Sequence, residues 1–100
     1  MSETTIRLLR IRGRVQGVGY RAWAEVTAIE LGVEGWVRNC RDGSVEAVLA
    51  GSEEAVLTMI ELCRGGPPGA QVRSVDQREA GSADLTLRRP GDLFSVLPSS

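Results

Sequence analysis

Two stretches of helical periodicity, each set between β-like runs, limit the folds open to this chain. The first, Tyr20 to Leu31, carries Trp23, Val26 and Ile29 at spacings of three, with Ala22, Ala24 and Ala28 as helix formers. Gly32 stands where a C-terminal cap belongs. The second opens at Ser52, whose hydroxyl can accept from a first-turn amide. Glu53 and Glu54 then face the positive end of the helix dipole, and Val56, Met59, Ile60 and Cys63 form one apolar stripe. "GGPPG" at 65–69 stops this helix.

The runs around these helices are β-like. Residues 4–13, "TTIRLLRIRG", lead to a glycine-bearing turn, and 33–39 and 44–51 form a hairpin about Asp42-Gly43. A further strand is predicted over 72–77, after which "AGSAD" and "RRPGD" break the pattern. Either 85–87 or 94–97 forms the last strand. The order βαββαβ predicts an α+β fold, a four-stranded antiparallel sheet with two helices on one face. Right-handed crossovers leave a gap between the first two strands, which the third fills, antiparallel to both. The C-terminal ends of strands one and two then share one edge of the sheet. The exposed edge of strand two is a place where another chain would pair.

At 100 residues the chain is one domain, 1–100, with 1–4 and 98–100 expected as loose ends. Twelve Lys and Arg against thirteen Asp and Glu give a net charge of -1, so no global basic field exists to hold nucleic acid. Any anion site must be local. The start lacks the pattern of a leader, no apolar run is long enough to span a membrane, and two cysteines suggest reduced thiols; the expected location is the cytoplasm. Histidine is absent, which removes the commonest general base and the commonest metal ligand. No metal and no cofactor are expected.

"GRVQGVGYR", residues 13–21, lies where strand one passes into the first helix. Such a turn gathers backbone N–H groups in one concavity, to which the helix dipole adds positive potential. Gly13, Gly17 and Gly19 permit the turn, Val15 and Val18 can anchor it, and Arg21 can fold over it and bind a phosphate with paired donors. The run is neither a Walker A loop, which ends in Gly-Lys-Ser/Thr, nor a dinucleotide fingerprint, which needs parallel strands and a following acid. Asn39 ends strand two at the same edge, where its carboxamide can accept from a water and aim its oxygen at a bound phosphorus. Taken alone, three glycines also describe an ordinary tight turn, and an asparagine beside a hairpin is a common turn residue.

"GRVQGVGYR", then "LGVEGWVRNCRDGSVEAVLAG", then "RGGPPGAQV", together resemble the acylphosphatase family from about Leu8 to Val75. The resemblance implies a ferredoxin-like enzyme that hydrolyses the carboxyl–phosphate bond of acyl phosphates without a metal. It implies that backbone amides of Arg14, Val15, Gln16, Gly17, Val18, Gly19 and Tyr20 bind the phosphate. Arg21 would neutralise its charge, Asn39 would place the water, and a phosphate oxygen would take the water's proton. The partners implied are a small acyl phosphate and phosphate-like or sulfate-like anions, handled by a monomer, with neither nucleic acid nor membrane involved.

Three positions depart from the family pattern: Tyr20 stands where phenylalanine is usual, Cys40 where threonine is common, and Arg12 where side chains are smaller or aromatic. "DLFSVL", 92–97, resembles the closing strand. Trp23, Trp36 and Cys63 read as packing residues, and the first strand's arginines as a solvated surface. Cys40, between Arg38 and Arg41, is either a thiol those cations activate or an ordinary loop cysteine. Two other classes use the same order of elements. One is a phosphate or carbamoyl-phosphate binding module without turnover. The other is an RNA-binding sheet, which needs aromatics on its central strands that "SVEAVLAG" does not have.

Overall fold

A computed structural model describes residues 4–100; of the amino-terminal end expected to be loose, 1–3 lie outside the described residues. In chain order the elements are β1 (Thr5–Arg14), α1 (Tyr20–Leu31), β2 (Glu34–Asn39), β3 (Val45–Gly51), α2 (Glu53–Cys63), β4 (Gln71–Glu79), a 3-10 turn (Ser82–Leu87) and β5 (Phe94–Val96). The sheet runs β4-β1-β3-β2-β5. As expected, β3 lies between β1 and β2 and is antiparallel to both.

The expected four-stranded antiparallel sheet is instead five-stranded and mixed. β5 pairs parallel with β2, from Gly35 opposite Phe94 to Val37 opposite Val96. It occupies the edge of β2 that had been expected to stand open. Of the two candidates for the last strand, 94–96 pairs, while Leu85 and Leu87 belong to the 3-10 turn. The turn's return is fixed by Ser95, whose hydroxyl donates to Asp92 Oδ2 and accepts from the Arg89 amide, both at 2.9 Å.

Alternation sends Leu9 and Ile11 of β1, Val37 of β2, and Val45, Ala47 and Leu49 of β3 to the face covered by both helices. The stripe of α2 packs there as expected, and Ser52 accepts from the Ala55 amide at 3.2 Å. On α1 the expected stripe is corrected. Tyr20, Ala24, Thr27 and Ala28 are buried, while Val26 and Ile29 are 56% and 52% exposed. Steps of three fall short of a helical turn by about 60° each, so a run of threes walks off the contact face, whereas spacings of four and seven stay on it. The small alanines also let α1 approach the strands closely.

The other face carries a smaller cluster, in which Trp36 and Val48 lie beneath Leu85 and Leu97. Trp36 Nε1 donates to the Asp84 carbonyl at 2.7 Å. Beyond this cluster, Glu46, only 8% exposed, joins Arg10 Nη2 at 3.2 Å and Arg38 Nη2 at 2.7 Å. Arg38 also lies over the Trp36 ring, 4.8 Å from its centre. Part of the arginine surface expected to be solvated is therefore an ion-paired ladder across three strands. Among the described residues no helix is long and apolar enough to cross a membrane.

Tyr20 locks the two helices together. Its hydroxyl donates to the Cys63 carbonyl at 2.6 Å, and its ring meets Trp23 edge-on with centroids 5.3 Å apart. Burial, then the neighbouring Cys63, push the phenol far above its ordinary range. Burial, partly offset by the Tyr20 hydroxyl, pushes the Cys63 thiol up to about 11. The folded state thus keeps a proton on Cys63 that the unfolded chain begins to release near pH 9, so this contribution is whole below pH 9 and lost as pH rises through 11. Urea unfolding is expected to show stability falling by about 2–3 kcal/mol between those limits. The fall should be shallower in Cys63→Ala; an equal fall in both proteins would assign it to other groups.

Candidate active site

β1 and β2, on either side of β3, end at the same edge of the sheet, and the segment that follows β1 turns up into α1 over residues 15–19. Gly17 and Gly19 sit at φ of 75° and 80°, the left-handed region in which a β-carbon is strained. Gly19 is the N-cap of α1 and supplies no side-chain bond, and no acid lies in the helix's first turn. The N-terminus of α2 is arranged oppositely, with the Ser52 cap and with Glu53 and Glu54 in its first turn. Among the described residues, the backbone N–H groups of 16–22 donate to no protein acceptor, the first in α1 to do so being Trp23, to the Gly19 carbonyl. One helix end is closed by its own side chains and the other is left open.

The open end borders a cleft of about 410 Å³. The loop contributes Val15, Gln16, Gly17 and Gly19, the start of α1 contributes Tyr20 and Arg21, and β2 contributes Asn39. The expected pair, Arg21 and Asn39, is therefore brought to one concavity. Arg14 and Val18 are not on its wall: Arg14 pairs with Gln71 at the end of β1, and Val18 packs on the core. Among the described residues Arg21 makes no ion pair, which leaves its guanidinium available to an anion. The carboxamide of Asn39 has no protein partner there either, whereas its backbone carbonyl accepts from the Ser100 amide at 2.9 Å.

The side chain of Gln16 has a role that sequence reasoning did not assign. Its Nε2 donates to the Cys40 and Ser44 carbonyls, both at 2.8 Å, and so fastens the loop to the β2–β3 hairpin. The hairpin is closed by Asp42 Oδ1, which accepts from the Ser44 amide at 2.9 Å and the Ser44 hydroxyl at 2.5 Å. These two bonds lead the causes that hold the Asp42 carboxyl below its ordinary value, with Arg10 and Arg12 adding to them. At position 40 the backbone carbonyl does the fastening, a group that any residue supplies. Arg38, one of the cations that could activate Cys40, is held instead by Glu46.

Three further residues on the wall were absent from the sequence-based set: Ala22, Glu25 and Val96. Glu25 was legible as the residue four after Arg21 on one helix face. Val96 was not, because its place depends on β5 pairing beside Val37.

Fold and cleft define a class: a ferredoxin-like α+β domain with an uncapped helix end, an arginine without an ion pair among the described residues and an asparagine around one hollow. A family model described as Acylphosphatase matches residues 8–86. The chain is 57% identical over 99 residues to an acylphosphatase of Bradyrhizobium diazoefficiens, covering 99% of each. It is 60% identical over 95 residues to one of Rhodopseudomonas palustris strain BisB5, covering 95% of this chain and 96% of that one. A solved acylphosphatase from Coxiella burnetii superposes with a TM-score of 0.82 at 31% identity, covering 94% of this chain and 93% of the other. The chain belongs to the acylphosphatase family and is an enzyme of acyl-phosphate hydrolysis.

Replacing Gln16 by Met keeps its bulk and removes both donors. Gln16→Met is expected to lower unfolding free energy by about 1 kcal/mol, since two part-buried carbonyls lose one hydrogen bond each while keeping those from the Gly43 and Cys40 amides. It should also weaken orthophosphate binding severalfold, because the loop is no longer held in the binding shape. Urea melts and a phosphate titration followed by amide NMR check both, and unchanged phosphate affinity would separate the fastening from the site.

Proposed function

We propose that the cleft holds the phosphoryl group of an acyl phosphate on the backbone N–H groups of the 14–20 loop and the start of α1. Arg21 lies over it and takes two of its oxygens through paired donors. The observation that carries this reading is the run of unpartnered amides at 16–22, in a segment whose residues other than Val18 border the same hollow as Asn39. Arg14 belongs to this set only through its place at the mouth of the loop.

Asn39 accepts a hydrogen bond from a water through its carboxamide oxygen and aims the water's oxygen at phosphorus, opposite the acyl oxygen. The new P–O bond forms as the bond from phosphorus to the acyl oxygen breaks, and the electron pair leaves on the carboxylate. The water's proton passes to a phosphoryl oxygen, giving carboxylate and orthophosphate. A carboxylate is a good leaving group, so positioning and charge stabilisation suffice without a strong base. That fits a chain with no histidine. No metal or cofactor enters this scheme, and the working form is a cytoplasmic monomer that also binds free phosphate and sulfate.

Hydrolysis of benzoyl phosphate in the presence of EDTA tests the scheme. The parent is expected to turn over, and Arg21→Ala and Asn39→Ala should each lose about 10²–10³-fold in kcat, the size of losing one transition-state contact. An inactive parent that orthophosphate still protects from thermal unfolding would favour the phosphate-binding module instead.

A further inference from the structure

Glu25 is a carboxylate on the wall of a cleft whose other polar groups suit an anion. Among the described residues it makes no ion pair, so its charge is not neutralised by the protein. Arg before Glu is the weaker order for a pair four apart on a helix, and this pair does not close. Glu25 lies five residues beyond Tyr20, about 7–8 Å along the axis, past the open amides. That is the reach from a cradled phosphorus, through the bridging oxygen and the carbonyl carbon, to the fourth carbon of an extended acyl chain and the groups it carries. The wall of the same cleft includes Ala22 and Val96, which offer methyl groups.

We propose that Glu25 is a specificity residue that admits uncharged acyl chains and turns away acyl groups bearing a second carboxylate. The inference rests on the acyl-phosphate reading above and concerns the other end of the same substrate. A neutral chain lies along Ala22 and Val96. At a separation of about 6 Å from Glu25, a terminal carboxylate would meet a like charge that costs about threefold in affinity at the dielectric of water and about tenfold if the wall halves it. Salt screens this penalty.

Butyryl phosphate and succinyl phosphate share a chain length and differ by one charge, so their kcat/KM ratio reads the effect. The butyryl-over-succinyl ratio is expected to fall about three- to tenfold in Glu25→Gln at about 0.02 M salt, and the difference should shrink at about 0.5 M. Pentylphosphonate and 5-phosphonopentanoate, which cannot be hydrolysed, should show the same narrowing in their Kd values by calorimetry. A ratio unmoved by the substitution, with both substrates affected equally, overturns the proposal. If neither acyl phosphate turns over yet the phosphonates are discriminated and Glu25→Gln abolishes that, hydrolysis fails as a reading and the charge filter stands.

Discussion

Glu46 occupies the middle of the sheet, directly opposite Arg10 on one side and Arg38 on the other. Its carboxylate is nearly buried, and losing either arginine would leave a poorly solvated charge, so the three groups hold β1, β3 and β2 in one register. One step along the strands, Ile11 and Asn39 both face Val45. The ladder therefore sets the height at which β1 releases the chain into the loop and β2 presents Asn39. Ser44 carries the arrangement over the edge: its hydroxyl accepts from Arg10 and donates to Asp42, and its carbonyl takes Gln16. Back-face charges and front-edge chemistry are parts of one hydrogen-bonded network.

The two helices show how a fold separates stability from function. α2 satisfies its own N-terminus with a serine and meets its dipole with acids, the arrangement that stabilises a helix in isolation. α1 forgoes both and recovers its stability from burial of Tyr20, the close-packed alanines and the bond from Tyr20 to the Cys63 carbonyl. A serine or aspartate at position 19 would supply the missing cap and occupy amides that the proposed phosphate site uses, besides straining the left-handed backbone.

Much of this is legible in the sequence alone. The helices, the hairpin and the placing of β3 followed from periodicity, turn residues and crossover handedness, and so did the meeting of Arg21 with Asn39. The misses have separate physical causes. β5 is one of the two expected candidates for the last strand, but its parallel pairing with β2 gives no local signal, because three residues with a buried serine at the centre take their place from the turn formed by Arg89, Asp92 and Ser95. The stripe on α1 was misread because alanines, which mark closeness of approach, carry less apparent hydrophobicity than the valine and isoleucine left outside. Gln16 was read for its backbone alone, since a long amide side chain declares its partners only once the hairpin stands beside it.

The order β4-β1-β3-β2-β5 has one more consequence, in time. β1 takes both of its neighbours from distant parts of the chain, Ile6 facing Ala50 and Arg7 facing Glu79. Such pairings must close long loops before any contact rewards them, which places the domain among slower folders of its size. The hollow beside Arg21 comes into being only after β1, β3 and β2 have met. The proposed anion binding is accordingly a property of the finished sheet, and a ligand that occupied the loop would draw the late steps of folding toward completion without hastening the first.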